Sequence, residues 1–190
     1  MGQLNGSEIL AKALKREGVE ELFFLMGGPM LTAEAATIQE GIRCIDVRHE
    51  QAAAMMAQAY SRLRQKPGFC MAASGPATIN LSTGLANALI DCCPVVALGG
   101  ASPMLGNGKQ VFQEIDQMEI MSGCVKYAAR IYDARCIPEM LNVAIQKAMS
   151  GKPGPVYLDL PGDTLYQMVD EDAIDWSQSG RAILNARPPA

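Results

Sequence analysis

A carboxylate stands where an apolar run meets a helix-like segment. The tetrapeptide Arg48-His49-Glu50-Gln51 follows the apolar run 42–47 and precedes the alanine-rich segment 52–59. An acidic residue in the first turn of a helix commonly serves the unpaired N–H groups and the positive end of the helix dipole. A carboxylate at the end of a buried strand can also be presented to a ligand. The motifs in the rest of the chain distinguish a helix-capping role of Glu50 from a ligand-binding role.

Nucleophilic and metal chemistry have little support in this sequence. His49 is the only histidine, so any catalytic triad or Cys-His pair would depend on it. The segment Ala72-Ala73-Ser74-Gly75-Pro76 is not the GxSxG elbow of hydrolases. No CxxC pair is present, and the cysteines fall mostly in apolar runs, so we expect reduced core residues and no zinc site. The six cysteines are Cys44, Cys70, Cys92, Cys93, Cys124 and Cys136.

Length and composition fit one globular domain with a sizeable core. The chain has 190 residues, of which 49% are hydrophobic and 19% charged. Its net charge of −4 gives no broad basic surface, so neither nucleic acid nor an anionic membrane is an expected partner. No apolar run reaches spanning length, and the first residues lack the features of a signal peptide. We therefore expect a cytoplasmic protein.

Helical and extended patterns alternate along the chain. Asn5 followed by Glu8 predicts a capped helix, and Gly18 suits its C-terminal end. The segment 22–26 is apolar at successive positions, as expected for a strand buried on both faces of a parallel sheet. Strands are predicted over 21–26, 42–47, 69–73, 94–98 and 155–160. Further helices are predicted over 31–40, 50–64, 78–90, 114–121 and 138–149.

Repeated strand–helix units with short connections predict the fold class. They favour an α/β, doubly wound, mostly parallel six-stranded sheet with helices on both faces. In such sheets ligands bind beyond the carboxyl ends of the strands. Three segments fall there, namely Gly27-Gly28-Pro29, Arg48-His49-Glu50 and Ser74-Gly75-Pro76.

Five motifs in a fixed order carry a family resemblance. They are Gly27-Gly28, Arg48-His49-Glu50-Gln51, Ser74-Gly75-Pro76 with Asn80-Leu81 and Thr83-Gly84, Phe112-Gln113-Glu114, and Gly151-Lys152-Pro153-Gly154-Pro155-Val156. Together they resemble the pyrimidine-binding domain of thiamine-diphosphate enzymes such as acetolactate synthase and oxalyl-CoA decarboxylase. The resemblance runs from about Ser7 to Pro161. The sequence differs from the family pattern at two places. Met26 precedes the glycines, and Ala77, Thr78 and Ile79 follow Pro76.

The resemblance implies a role for each matching residue. Glu50 is expected to hydrogen-bond to a ring nitrogen of the cofactor's aminopyrimidine, so that this ring can take the proton from the thiazolium C2 carbon. Phe112 and Gln113 are expected on the substrate side of the cofactor. The implied cofactor-binding residues are Gly27, Gly28, Glu50, Ser74, Gly75, Pro76, Thr78 and Asn80.

Simpler interpretations stay open for several of these residues. Gly27 and Gly28 could form a plain turn at the end of a strand. Ser74 or Thr78 could be an ordinary helix N-cap. Phe112 could pack beside a helix start. The small and methionine side chains of helix 50–64 are explained as well by core packing as by a subunit interface.

Half of the expected cofactor site is absent from the sequence. The chain lacks the Gly-Asp-Gly segment that holds magnesium and the diphosphate in this family, so Mg²⁺ is expected only through another domain. After Pro161 the composition becomes acidic and polar. We therefore predict a domain over 1–165 and a linker over 166–190. The simplest expectation is a piece of a longer enzyme, and a separately encoded subunit is the alternative.

The resemblance favours a 2-oxo acid decarboxylase or carboligase like acetolactate synthase. Asp116-Gln117 and the segment 156–161 resemble oxalyl-CoA decarboxylase instead, so cleavage of oxalyl-CoA or a 2-hydroxyacyl-CoA is the alternative. A non-catalytic regulatory or assembly subunit is a third hypothesis. An unrelated nucleotide-binding protein is not expected, because no GxGxxG or GxxxxGK[ST] motif follows a strand. The family implies a homodimer or homotetramer, and the fragment alone is predicted to be inactive.

Overall fold

A computed structural model describes residues 2–180 of the chain. Within them, the strands are β1 (Gln3–Asn5), β2 (Glu21–Leu25), β3 (Arg43–Asp46), β4 (Gly68–Ala72), β5 (Val95–Ala101), β6 (Tyr127–Arg130), β7 (Val156–Pro161) and β8 (Met168–Asp170). The helices are α1 (Gly6–Arg16), α2 (Leu31–Gln39), α3 (Glu50–Arg64), α4 (Pro76–Asn80), α5 (Ser82–Ile90), α6 (Gln117–Ser122), α7 (Ile137–Met149) and α8 (Gly162–Tyr166).

Six strands form one parallel sheet in the order β3-β2-β4-β5-β7-β6. All five neighbouring pairs run parallel, which confirms the predicted α/β, doubly wound class. The short strands β1 and β8 pair antiparallel in a separate two-stranded sheet. Six parallel strands place all six carboxyl ends at one edge of the sheet, which is where the predicted loops lie.

Helices cover both faces of the sheet, as predicted. Alternate side chains of each strand enter two separate cores, because successive residues of a strand point to opposite faces. Leu22 and Phe24 of β2 pack with α1 and α7, whereas Phe23 packs with α3 and α5. The strands are therefore apolar at successive positions, which is the pattern that the sequence shows.

The first helix has the predicted caps. The Asn5 side chain accepts a hydrogen bond from the Glu8 N–H at 3.0 Å, and the Asn5 N–H donates to the Glu8 carboxylate at 2.8 Å. This reciprocal pair is the capping box that the sequence predicts. Gly18 lies just past the C-terminal end with φ of +79°, a conformation that glycine adopts without steric cost.

Two predicted helices differ from the observed ones, and one strand of the main sheet was not predicted. The single helix predicted over 78–90 is two helices, because Pro76 starts α4 early and the chain turns at Leu81 before α5. The helix predicted from 114 begins only at Gln117, after Asp116 caps it by accepting from the Glu119 N–H. The sequence does not predict β6, because the segment Tyr-Ala-Ala-Arg is short and mixed in polarity, and its extended form depends on pairing with β7.

Packing explains part of the small-residue surface of α3. Ala53, Ala54 and Ala57 are fully buried inside the domain against β-strands and α5, so core packing accounts for them. Met55 and Met56 are exposed by 40% and 37%. These two methionines stay available for a contact with another protein surface.

No disulfide joins the cysteines within residues 2–180, and most of them are not fully buried. Cys70 and Cys93 are buried, whereas Cys44, Cys92 and Cys124 are half-buried and Cys136 is exposed. The reduced state stays a prediction, and the prediction of core positions holds for two of the six. Burial raises the pKa of the Cys70 thiol to about 12.

The segment predicted as a linker packs on the domain as far as residue 180. Val169 of β8 and Ile174 are buried in the core on the α1 and α7 face. The Arg16 guanidinium lies 5.0 Å from the ring centroid of Trp176, and the Gly180 N–H donates to Glu17 Oε1 at 2.7 Å. Residues 181–190 lie outside the described part, and a linker role for 166–190 stays a prediction.

Among residues 2–180, no helix is both long and apolar enough to cross a membrane.

We predict that Gly84→Ala destabilises the protein. A Cβ on Gly84 would lie 2.6 Å from Ala54 Cβ and 3.2 Å from Gln51 O, so α3 and α5 would have to move apart. Overpacking of this kind costs about 2 kcal/mol. Urea unfolding measures the loss. Thr83→Ala is the matched control on the exposed side of α5 and should stay within about 0.5 kcal/mol of the parent. Equal stability of the two variants would contradict the close helix contact.

We predict that native Cys70 resists alkylation at pH 8. Because its pKa is about 12, its reactive thiolate is scarce at this pH, and burial also blocks the reagent. Cys136 is exposed and should react first with iodoacetamide. Mass spectrometry of time points locates the modified residues, and urea should release Cys70 for reaction. Native modification of Cys70 at the rate of Cys136 would show that the β4 core is open.

Candidate functional site

Three predicted loops meet at the carboxyl edge of the sheet. β2 lies between β3 and β4, and the three strands are parallel neighbours. The loops that follow them carry Gly27–Gly28, His49–Glu50 and Ser74–Gly75. The Val47 N–H donates to Phe24 O at 2.9 Å, which extends the pairing to the base of these loops. Segments far apart in sequence therefore form one site.

Glu50 is the first residue of α3 and is only 7% exposed. The N-cap residue is His49, whose Nδ1 accepts from the Gln51 N–H at 3.1 Å. Asn80 at the end of α4 donates through Nδ2 to Glu50 Oε2 at 2.9 Å. Since His49 makes the capping contact, the Glu50 carboxylate is not needed for it. Glu50 still benefits from the positive end of the helix dipole.

The glycine pair is required by close packing and backbone geometry. Gly28 has φ of +49°, in the left-handed region that other residues rarely adopt. A Cβ on Gly27 would lie 3.1 Å from Ala73 Cβ, which is a tight contact with the loop after β4. These facts fit both a strand-ending turn and a backbone that approaches a ligand, so the cofactor contact of Gly27 and Gly28 stays a prediction.

The loop after β4 is held by two glutamines, one from the loop before α6 and one at the start of α6. Ser74 Oγ donates to Gln113 Oε1 at 2.7 Å, and the Gly75 N–H donates to Gln117 Oε1 at 2.9 Å. Gly75 has φ of +59°, and a Cβ there would lie 2.4 Å from Gln113 O. Gly75 itself is the N-cap of α4, and no side chain makes the capping contact. The interpretation of Ser74 or Thr78 as an N-cap is therefore wrong.

Thr78 supports this loop from inside the protein. Its side chain is fully buried, and Oγ1 donates to Ala73 O at 2.6 Å. The hydroxyl has one proton, and that proton is already used on the chain itself. We therefore assign Thr78 to holding the loop, and a contact with the cofactor stays a prediction. Pro76 is exposed at the start of α4, where its fixed φ suits the first turn.

Phe112 is presented to solvent at the same edge. Its side chain is 81% exposed, so the interpretation as a packing residue is wrong within this domain. Glu114 shapes the loop by accepting from the Val111 N–H at 3.1 Å and from the Gly108 N–H. The Gly108 hydrogen bond is the main cause that lowers the pKa of Glu114. A cavity of about 310 Å³ opens between Phe112, Ser74 and Gly28.

A buried polar network next to the loop after β4 is not predicted by the sequence analysis. Gln117 Nε2 lies 2.7 Å from Tyr157 OH and 2.5 Å from Asp159 Oδ1. Asp159 is fully buried and pairs with Arg130 Nε at 2.5 Å. Burial first, and then the Asp159 charge, raise the pKa of Tyr157 well above its ordinary value. The available signal was an aspartate within the apolar strand 156–161, because a buried charge needs partners.

A metal site has no support in the part of the chain that the structure covers. His, Cys, Asp and Glu side chains of residues 2–180 nowhere gather in groups of three that could hold an ion.

Several curated proteins are similar to this chain over most of its length. It is 38% identical over 177 residues to an acetolactate synthase of Arabidopsis thaliana, covering 93% of this chain and 26% of that protein. It is 37% identical over 175 residues to the acetolactate synthase isozyme 2 large subunit of Escherichia coli (strain K12), covering 91% and 31%. It is 34% identical over 176 residues to 2-hydroxyacyl-CoA lyase 1 of Homo sapiens, covering 93% and 30%.

The chain therefore spans between a quarter and a third of the length of these relatives. A sequence family described as "Thiamine pyrophosphate enzyme, N-terminal TPP binding domain" matches residues 4–120, which include the loops after β2, β3 and β4 and the exposed Phe112. This match covers more than half of the chain. The chain belongs to the thiamine pyrophosphate enzymes, as an N-terminal TPP-binding domain of the kind found in acetolactate synthases and 2-hydroxyacyl-CoA lyases.

Proposed function

We propose that this domain holds the pyrimidine end of thiamine diphosphate and that Glu50 is the carboxylate facing the pyrimidine ring. The observation that carries the proposal is the position of Glu50. It is a nearly buried carboxylate at the carboxyl edge of the sheet, oriented by Asn80 and not used as the N-cap of its helix. A structural carboxylate of this kind would otherwise be a costly choice at a buried position.

The residues present fit the pyrimidine end of the cofactor. An aminopyrimidine is a flat ring with nitrogen atoms at its edge, and a carboxylate oxygen is a suitable partner for a protonated ring nitrogen. Gly27 and Gly28 leave the neighbouring backbone without side chains, so a ring can approach it. Residues 2–180 hold no acidic cluster for a metal ion, so the diphosphate and Mg²⁺ are assigned to another domain.

Each residue of the proposed site has a physical task. Thiamine diphosphate, when bound, supplies a thiazolium carbon that becomes nucleophilic once its proton is lost. The Glu50 carboxylate holds a proton in the hydrogen bond to the ring nitrogen and so stabilises the charged form of the ring. Asn80 fixes one carboxylate oxygen, which leaves the other oxygen to face the ring. Phe112 covers the substrate side and excludes water there.

We favour a 2-oxo acid decarboxylase or carboligase like acetolactate synthase as the enzyme to which this domain belongs. Both plant and bacterial acetolactate synthases are among the relatives. The chain lacks most of their length, so the activity is assigned to the assembled enzyme and not to this domain alone. A homodimer or homotetramer is part of the proposal, and the cytoplasmic location stays a prediction.

A second candidate is an enzyme that cleaves an acyl-CoA. The Asp116-Gln117 segment and the segment 156–161 both resemble oxalyl-CoA decarboxylase, and the structure joins them through the Gln117–Tyr157–Asp159 network. Parallel assays of the assembled enzyme with pyruvate and with a 2-hydroxyacyl-CoA decide between the two candidates. Normal cofactor binding without turnover of either substrate class would favour the regulatory or assembly subunit.

We predict that Glu50→Gln slows loss of the C2 proton of bound thiamine diphosphate by about a hundredfold or more, the range in which general acid–base groups contribute. Glutamine keeps the shape of glutamate and cannot hold the shared proton. Proton–deuterium exchange at C2 in the assembled enzyme, followed by NMR after acid quench, measures this rate. Glu139→Gln is the matched control, since Glu139 also lies in the first turn of a helix, α7. Near-normal exchange in the Glu50 variant would refute the assignment.

We predict that residues 1–190 alone bind thiamine diphosphate with a dissociation constant above about 0.1 mM. The diphosphate carries most of the charge of the ligand, and metal and helix-dipole contacts usually anchor it. Calorimetric titration with and without Mg²⁺ measures the affinity. A tight binding isotherm that requires Mg²⁺ would show that this domain holds the diphosphate by itself.

A further inference from the structure

Gln117 connects two parts of the protein that are distant in sequence. It is the first residue of α6 and is almost fully buried. Its Oε1 accepts from the Gly75 N–H at 2.9 Å, and its Nε2 lies 2.8 Å from Gly100 O and 2.5 Å from Asp159 Oδ1. One side chain thus joins the loop after β4 to the adjacent strands β5 and β7.

The orientation of this amide is fixed by its partners. A carboxylate and a backbone carbonyl only accept hydrogen bonds, so Asp159 and Gly100 must face the NH₂ group of Gln117. The carbonyl oxygen of the side chain is then directed to Gly75. Arg130 and the Tyr157 hydroxyl donate to Asp159, which keeps that carboxylate in place. The hydrogen bonds of Nε2 therefore fix the amide, and its Oε1 accepts the Gly75 N–H from a fixed position.

Helix α4 connects Gly75 to Asn80, which bonds to Glu50. Gly75 is the N-cap of α4 and Asn80 is its last residue. Five helical residues are about 7.5 Å long, so the start and the end of α4 move as one short rigid piece. Asn80 donates to the Glu50 carboxylate at 2.9 Å. A shift of Gly75 would consequently displace the only side-chain hydrogen bond to Glu50 within residues 2–180.

We propose that Gln117 is a positioning residue that sets the Glu50 carboxylate through Gly75, α4 and Asn80. The inference rests on the proposed function of Glu50 and adds a remote residue to it. Gln117 does not contact the reacting atoms, and its effect has to pass through Asn80. If the effect of Gln117 passes through Asn80, substitutions of these two residues should not have additive effects in a double variant.

The test is proton–deuterium exchange at C2 of the cofactor in the assembled enzyme at saturating thiamine diphosphate. Gln117→Leu keeps the approximate volume and removes every hydrogen bond of the amide. We expect it to slow exchange by about tenfold, within the range that a small misplacement of a reacting group costs. Asn80→Ala should have a similar effect. The double variant should also be about tenfold slower, because the second change removes a contact that is already lost.

A merely structural role of Gln117 predicts a different pattern. Asn142 is the control, since it is a buried side-chain amide on α7, on the other face of the sheet. Asn142→Leu should lower the melting temperature and leave C2 exchange within twofold of the parent. An unchanged rate in Gln117→Leu would overturn the inference. A double variant slowed by the product of the two single effects, about a hundredfold, would also overturn it because independent sites add in free energy.

Two further measurements keep the test decisive. If Gln117→Leu does not fold, Gln117→Asn replaces it, because the shorter amide cannot reach Gly75 and Asp159 together. Glu50→Gln is measured in the same series. Normal exchange in Glu50→Gln would reject the proposed function and the inference with it. Slow exchange in Glu50→Gln together with normal exchange in the Gln117 variant would reject the inference alone.

Discussion

Parallel pairing of β2 with both β3 and β4 is the constraint on which the site depends. It brings the carboxyl ends of three strands to one edge, although these strands end at Leu25, Asp46 and Ala72 of the sequence. The pairing is maintained by two cores, since alternate side chains of each strand pack on opposite layers of helices. Glu50 and Asn80 can meet because α3 follows β3 and α4 follows β4, and these two strands flank β2. The chemistry of the edge is therefore a consequence of strand order.

Much of this fold could be predicted because buried parallel strands have a strong sequence signal. The residues 22–25 of β2 are apolar at successive positions, as expected for a strand covered on both faces, whereas Met26 after the strand is exposed. The strand β6 could not be predicted from an apolar run. Its residues are half-buried, and two of the four are alanines, which favour helices when no neighbour decides. Pairing with β7 decides its conformation, and such pairing cannot be read from a local segment.

Site residues could be predicted where the backbone of their own segment requires a particular residue type. Gly28 and Gly75 adopt positive φ, and Glu50 opens a helix, so each has a signal in its own segment. Gln117 has none, because its partners Gly75 and Asp159 lie about 40 residues away on either side. The amide looks like an ordinary polar residue at a helix start. Its meaning depends on which strands are neighbours, and this is known only after the sheet is assembled.

The segment after β8 runs along the first helix of the domain. β8 pairs with β1 beside the start of α1, near the edge that carries Glu50. Ten residues after the end of β8, the Gly180 N–H donates to Glu17 at the far end of α1, which is about 16 Å away along an 11-residue helix. The chain has crossed the protein by then. The described part of the chain therefore ends at the edge of the sheet opposite Glu50.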